Sequence, residues 1–269
     1  MEELSLVFFT VLAQTAAGTA LVLAIVACCF DNNDRRQISL PGYISVLVLL
    51  GMAGVASLTH LGHPLRAMNV VFGLSHGSPL SLEILAVALF GAVISLLLGL
   101  MFIKHPLANK PTLPIIGGFT GMLMVYAISR VYNIQTIDVW YHLTTPLQFF
   151  ATATVMGACI VSLLATINGV NSVLIRGLSV VSLIFVFIVI SIHQQYLGSL
   201  ANMLDVADAQ SLIWFRYGLL ACGCFLWLFP MLAKQNGGAR FIASGGVLIL
   251  LSELAGRAYF YDLINQRLL

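Results

Sequence analysis

Two side chains that could handle protons flank one loop of the chain. His60 ends an apolar run, Glu83 lies about one turn into the next run, and Arg66 lies between them. Imidazole titrates near neutral pH and a carboxylate accepts hydrogen bonds, so His60 and Glu83 could together take protons from a quinol hydroxyl. The alternative is a purely structural role, in which His60 only caps its helix or forms a hydrogen bond with a backbone carbonyl.

Further charged and aromatic residues lie near the same ends of other apolar runs. Arg130 and Tyr132 close the fourth run, Arg216 lies one turn into the seventh, and Glu253 and Arg257 lie in the outer half of the eighth. A charge at mid-membrane costs about 2.5–3.5 kcal/mol on insertion scales, so each position needs a reason. Their convergence on one side is the main functional signal in the sequence. We therefore count Arg130, Tyr132 and Arg257, together with Trp140, as candidate quinol-binding residues beside His60, Arg66 and Glu83.

Glu253 and Arg257 are four residues apart and therefore share a helix face, with the glutamate on the favourable N-terminal side. One interpretation is an internal ion pair that lowers the cost of burying both charges. The other is that Arg257 orders an acidic partner or a ligand oxygen near the surface. Arg216 is open to the same two interpretations, partner docking or a structural ion pair.

Aromatic residues near the ends of the runs are typical of membrane interfaces. Tyr132, Trp140 and Tyr141 fit that pattern, and most of them are expected to be belt residues. Trp140 and Tyr141 could also line a pocket for a quinone ring.

The positions of the histidines do not favour two haems that would transfer electrons across the bilayer. Two such haems need paired histidine ligands at two depths in the membrane. Only His105 is predicted on the side opposite to the other histidines, which are His60, His63, His76, His142 and His193. A single haem between His60 and His193 stays an alternative. The five cysteines lie in apolar runs without a metal-binding spacing, so we expect packing residues and neither a haem nor an iron–sulfur cluster in this protein.

The elements that must position these residues are membrane helices. Of 269 residues, 60% are apolar and only 8% are charged, against roughly 25% charged in soluble domains. Too little charge is present to cover a water-facing surface, and no basic stripe suggests nucleic acid. Eight apolar runs predict an all-α membrane protein, a bundle of eight transmembrane helices in one polytopic domain spanning 1–269: 4–30, 40–61, 82–103, 113–133, 146–166, 174–194, 212–233 and 241–261.

Charge distribution predicts the orientation of the bundle. Glu2 and Glu3 replace the basic start of a cleavable signal, so the first run is read as a retained helix. The loops after runs one, three, five and seven hold seven Lys and Arg residues, against five on the other side. We therefore expect both termini outside, periplasmic in a bacterial inner membrane. The longer outer segments are where chemistry or a partner is expected: 62–81, 134–145 and 195–211.

The stretch HLGHPLRAMN at 60–69 resembles the signature of the membrane-anchor subunit, or C subunit, family of anaerobic dimethyl sulfoxide reductase. Five further sequence segments match the same family in the same order, and the resemblance extends from the first apolar run to the last. They are SLEI at 81–84, RVYN at 130–133, VWYHLTTPLQFF at 139–150, WFR at 214–216 and ELAGRAYFY at 253–261.

The resemblance implies eight helices with periplasmic termini, in a complex with a molybdopterin catalytic subunit and a [4Fe–4S] subunit docked on the periplasmic face. It implies that the protein anchors them and oxidises menaquinol in anaerobic respiration. By the same resemblance, His60 and Glu83 are linked to quinol binding, and Arg66 fits the motif arginine. His63 departs from the family pattern, which leaves open whether His60 or His63 handles the proton.

Two other classes of function remain at this point. A transporter or channel would explain the intramembrane charges, but these gather on one side, and no pair of broken helices recurs in matching halves. A pure anchor would lack a quinol site altogether. For an anchor of this family, the sequence does not name the terminal electron acceptor, because that specificity lies in the catalytic partner.

Overall fold

The computed structural model describes residues 2–60, 70–200, 207–233 and 238–267. Within these ranges, all regular secondary structure is helical. Short 3-10 turns at Leu74–His76 and Pro106–Asn109 interrupt the connections. The α-helices are α1 (Glu2–Cys29), α2 (Asn32–His60), α3 (Val70–Gly73), α4 (Pro79–Phe102), α5 (Thr112–Tyr132), α6 (Thr144–Ile167), α7 (Val173–Ser199), α8 (Ala207–Ala233) and α9 (Gly238–Arg267).

Eight helices in the described ranges are long and apolar enough to cross a membrane, which confirms the predicted number of spans. Several extend beyond the apolar runs: α2 begins at Asn32 instead of residue 40, and α9 ends at Arg267 instead of residue 261. A helix satisfies its backbone hydrogen bonds internally, so it continues past the apolar stretch into polar sequence. The length of the apolar run therefore reflects the thickness of the hydrocarbon core and not the full length of the helix.

Helix α1 lies in the centre of the bundle, where it packs against α2, α5, α6 and α9. Small residues make this possible. A Cβ at Gly18 would overlap the backbone of Ala153, and a Cβ at Gly157 would overlap the backbone of Gly18. Membrane helices approach closely through such residues because lipid supplies no hydrophobic force between them. The α1–α6 contact thus sets the core of the bundle.

The remaining helices are arranged around this core in neighbouring pairs. Helix α4 packs against α5 and α2, α7 packs against α6, and α8 forms a close pair with α9. Gly223 and Gly245 let the α8 and α9 backbones meet.

Eight crossings return both chain termini to one end of the bundle. This end, called the terminal end below, holds the start of α1, the end of α2, the start of α4, the end of α5 and the end of α9. The opposite end holds the connection from α1 to α2 and that from α4 to α5.

Candidate functional site

Buried polar side chains gather in the half of the bundle next to the terminal end. They come from seven helices, although each helix is mainly apolar. Buried polar groups in lipid are tolerated when they find partners inside the protein. Apart from Thr15 and the serines Ser81, Ser129 and Ser252, the group consists of Thr10, Gln14, Glu83, Thr144, Thr145, Gln148, Thr152, His193, Arg216, Glu253 and Arg257.

Glu253 forms an ion pair with Arg216 across the α8–α9 contact. The carboxylate Oε1 lies 3.5 Å from the Arg216 guanidinium, and the Thr152 hydroxyl donates to Oε2 at 2.5 Å. Ser252 donates to the Arg216 carbonyl at 2.9 Å, which ties the two helices together. Gly256 leaves the space that the guanidinium fills, because a Cβ there would overlap it.

The ion pair between Glu253 and Arg257 that their shared helix face suggested is replaced by this pairing. Glu253 turns to the arginine of the neighbouring helix, which would otherwise be a second unpaired charge in apolar surroundings. Spacing along one helix shows which side chains can meet, but not whether a neighbouring helix offers another partner.

Arg257 is a buried cation whose partners are neutral. Its guanidinium donates to Gln14 Oε1 at 3.1 Å and lies 3.7 Å above the centre of the Phe149 ring. Among the described residues, no carboxylate lies within ion-pair distance of it, and its Nε has no acceptor. Within the described part of the chain, the Arg257 guanidinium therefore contacts a ring and an amide but no carboxylate.

Five aromatic rings form a cluster beside Arg257. Trp140 stacks on Phe260 with ring centres 5.2 Å apart, and its Nε1 donates to the Phe260 carbonyl at 2.9 Å. Tyr132 contacts Trp140 at 5.8 Å and Tyr261 at 5.3 Å between ring centres. We call Tyr132, Trp140, Phe149, Phe260 and Tyr261 the aromatic cluster.

Trp140 is not the interfacial belt residue that its position in the sequence suggested. Only 7% of it is exposed, because the segment before α6 folds inward and the indole is held by the α9 backbone. Tyr141 next to it is 47% exposed, as a belt residue should be. Adjacent aromatic residues therefore have opposite environments.

Glu83 lies in the first turns of α4 and is 5% exposed. It lies within electrostatic range of the hydroxyls of Tyr132 and Tyr261. Within the described ranges, no hydrogen bond or ion pair joins its carboxyl to another residue. A buried carboxyl group thus lies near the aromatic cluster.

The rest of the predicted proton-handling group is outside what the structure describes. His60 is the last residue of α2, but its side chain is not described, and His63 and Arg66 lie wholly outside the described residues. The meeting of His60, Arg66 and Glu83 therefore stays a prediction. Arg130, also predicted at this site, is exposed at the end of α5 and is not part of the buried group.

The sequence reasoning missed a series of hydrogen bonds between α6 and α7. The Thr144 hydroxyl joins His193 Nδ1 at 2.9 Å and His142 Nδ1 at 2.8 Å. His142 stacks on Tyr196, with ring centres 3.8 Å apart and planes 8° from parallel. His193 is 2% exposed. The signal available in the sequence was a histidine next to the predicted end of the sixth apolar run.

Gln14 was also missed, although it is an isolated amide in the middle of the first apolar run. Its position is the available signal, since polar groups in a span must find partners. Across the described residues, no group of three or more His, Cys, Asp or Glu side chains could hold a metal ion.

Comparison with known proteins identifies the family. The model of the DMSO reductase anchor subunit (DmsC) family matches residues 1–263. The protein belongs to this family. As a DmsC-family anchor, it is a membrane-anchor subunit, which confirms the resemblance seen in its motifs.

Similar proteins cover nearly the whole of this anchor. The C subunit of anaerobic dimethyl sulfoxide reductase from Escherichia coli (strain K12) is 32% identical over 273 residues, 97% of this anchor and 94% of the relative. The YnfH subunit of anaerobic dimethyl sulfoxide reductase from the same strain is 31% identical with the same coverage. The C subunit from Haemophilus influenzae (strain ATCC 51907 / DSM 11121 / KW20 / Rd) is 29% identical, again covering 97% and 94%.

Membership places this multi-pass anchor in a larger assembly. The family implies association with the catalytic and iron–sulfur subunits of dimethyl sulfoxide reductase.

Proposed function

We propose that this anchor oxidises menaquinol in a shallow site near the terminal end and passes the electrons to an iron–sulfur subunit. The observation that carries the proposal is that three features lie near one another at the terminal end: the buried carboxyl group of Glu83, the aromatic cluster, and Arg257, which has no carboxylate within ion-pair distance among the described residues. A quinol needs a proton acceptor, a flat apolar surface and a positive potential where negative charge develops.

In this proposal each residue has a separate task. Glu83 and His60 accept protons from the two hydroxyls of the quinol, with Arg66 nearby and His63 as the rival of His60. Arg257 lowers the free energy of the deprotonated quinol through its charge. Tyr132 and Trp140 line the inner wall, and Arg130 contacts the quinol only at its exposed edge.

The electrons and protons leave separately. Oxidation releases two electrons and two protons from each menaquinol. The electrons pass to the nearest [4Fe–4S] cluster of the partner, which stands between this anchor and the molybdopterin subunit. We place both partners on the periplasmic face of a bacterial inner membrane, with the terminal end outside. Both protons are then released on the side where the electrons leave, so turnover moves no net charge across the membrane.

The test uses membranes that hold the assembled complex with Glu83→Gln or His60→Ala in the anchor. Quinol-dependent reduction of the acceptor should fall about 100-fold, as expected when a proton acceptor is lost. Reduction driven by an artificial donor to the partner subunits should be unchanged, since it bypasses the anchor. Asp34→Asn is the control, because this exposed carboxylate lies at the opposite end of the bundle and its loss should leave both activities intact.

Three results would contradict the proposal. Undiminished quinol oxidation by Glu83→Gln in a fully assembled complex would remove its central residue. Failure of the wild-type complex to bind a quinol analogue would favour a pure anchor. A transmembrane potential generated by turnover in sealed vesicles would contradict release of the protons on the same side.

A further inference from the structure

A cavity of about 350 Å³ opens at the opposite end of the bundle, between α2, α4 and the loop that leads to α5. It is separate from the proposed quinol site. No aspartate or glutamate is among its lining residues, whereas four of them can carry positive charge. Those four are Arg35, Arg36, Lys104 and His105.

Arg35 is built into the wall of this cavity. Only 7% of it is exposed, and its guanidinium donates to the carbonyls of Asn109, Lys110 and Ala108 at 2.7, 3.1 and 3.3 Å. Three neutral carbonyls fix the side chain without cancelling its charge. The loop before α5 is thereby held against α2, and a cation is held at the surface of the cavity.

Tyr43 supplies a second observation. It lines the cavity and is 1% exposed, yet its hydroxyl has no hydrogen-bond partner among the described residues. Buried hydroxyl groups are nearly always satisfied, so the Tyr43 hydroxyl is a donor still available to a polar group that occupies the cavity.

Lys104 is placed at the cavity by an uncommon helix ending. His105 N donates to Leu100 O and Lys104 N to Met101 O, which is the pattern that closes a helix with a left-handed residue. Lys104 has that left-handed backbone, with φ of 55°, at a position where glycine is usual. The protein therefore keeps a long cationic side chain where a glycine would be less strained.

The other part of the lining is apolar and comes from membrane-spanning helices, with Leu40, Leu97 and Met101 among its members. Next to it, Phe102 and Ile103 are 64% and 70% exposed and so face lipid. A cavity with cations on one wall and apolar side chains on the other suits an amphipathic anion. Basic pockets between membrane helices bind anionic lipid headgroups in this way.

We propose that this cavity binds the phosphate headgroup of an anionic phospholipid from the adjoining leaflet. The phosphate lies between Arg35, Arg36 and Lys104 and accepts the hydrogen bond of the Tyr43 hydroxyl. The glycerol and the first part of the acyl chains lie against the apolar wall. The bound lipid neutralises the cations of the cavity and joins α2 to the α4–α5 loop.

The test measures lipid binding to the purified complex after delipidation in detergent. Phosphatidylglycerol should bind the wild type at least tenfold more tightly than phosphatidylcholine, by native mass spectrometry or by the rise in melting temperature. Arg36→Gln combined with Lys104→Gln should weaken this binding about tenfold or more, since each basic residue contributes to anionic-lipid affinity. Tyr43→Phe should weaken it by a smaller factor.

Arg176→Gln is the matched control, because Arg176 lies at the same end but does not line the cavity. It should leave binding unchanged. Equal loss in the control and in the double variant would overturn the site. Equal binding of phosphatidylcholine would overturn its preference for anions. Inorganic phosphate that binds as tightly as phosphatidylglycerol, and competes with it, would overturn the lipid as occupant.

Discussion

The two ends of this anchor use positive charge in different ways. At the terminal end, Arg216 and Arg257 lie within the protein, one paired with Glu253 and the other held by Phe149 and Gln14. At the opposite end, Arg36 and Lys104 line an open cavity that no carboxylate lines. The first arrangement ties helices together. At the opposite end Arg35 has such a tying role, through three backbone carbonyls, whereas Arg36 and Lys104 stay available to a ligand.

This difference predicts which substitutions damage the fold and which change only binding. Removing one member of a buried ion pair leaves an uncompensated charge, and that is costlier than losing the pair as a whole. Removing a cation that faces a cavity leaves nothing charged behind it.

The largest effect is expected from Arg216→Met. Glu253 would be left buried without its cation, so the free energy of unfolding should fall by about 3–5 kcal/mol. The yield of assembled complex and its melting temperature measure this loss. The double variant with Glu253→Gln should recover most of it, because no buried charge remains. If the single and the double variant lost the same free energy of unfolding, the destabilisation would come from altered packing and not from an unpaired charge.

Arg257→Met should be less damaging, at about 2 kcal/mol, since it removes a cation–π contact and one hydrogen bond but leaves no opposite charge unpaired. Its quinol KM should rise, because the positive potential beside the aromatic cluster is lost. Arg257→Lys should keep much of the quinol affinity. Destabilisation as large as that of Arg216→Met would mean that Arg257 neutralises a carboxylate, and the contrast between the two arginines would fail.

Gly256→Ala tests the ion pair without changing any charge. The new methyl group would occupy the place of the Arg216 guanidinium, and displacement should destabilise the protein by about 1–3 kcal/mol. Gly218→Ala in α8 is the matched control, because its Cβ would meet no neighbouring atom. Thermal unfolding of the two variants separates the effects, and identical behaviour would show that Arg216 shifts freely.

The smallest effect on stability is expected from Arg36→Gln. The side chain is exposed at the cavity, so the free energy of unfolding in lipid-free detergent should change by no more than about 0.5 kcal/mol. A loss well above 1 kcal/mol there would show that the cations of the opposite end hold the fold together, as those of the terminal end do.

Much of the architecture follows from local sequence. The number of spans is predicted correctly because a bilayer requires about 20 apolar residues for each crossing. The unusual residues are also visible, since Glu83, Arg216, Glu253 and Arg257 stand out against apolar neighbours. The ends of α2 and α9 are predicted less well, because polar sequence can continue a helix after lipid ends.

Partners across helices are beyond the reach of such patterns. Glu253 and Arg257 share a face, but the neighbouring α8 offers Arg216, and α1 offers Gln14. Trp140 looks interfacial until α9 is placed beside it.

By itself, the sequence determines that this is a membrane protein and how many times it crosses the bilayer. It also shows which residues are too polar to face lipid without a partner. Those properties depend on single residues and their near neighbours. The tertiary structure determines which of those residues meet, and it builds the opposite-end cavity from segments near residues 35–43 and 97–114. The physical reason is that the rotation and spacing of the helices are set where their backbones approach closely, at sites such as Gly18 and Gly157. The pattern of residues along one helix does not show which surface of the neighbouring helix it will contact.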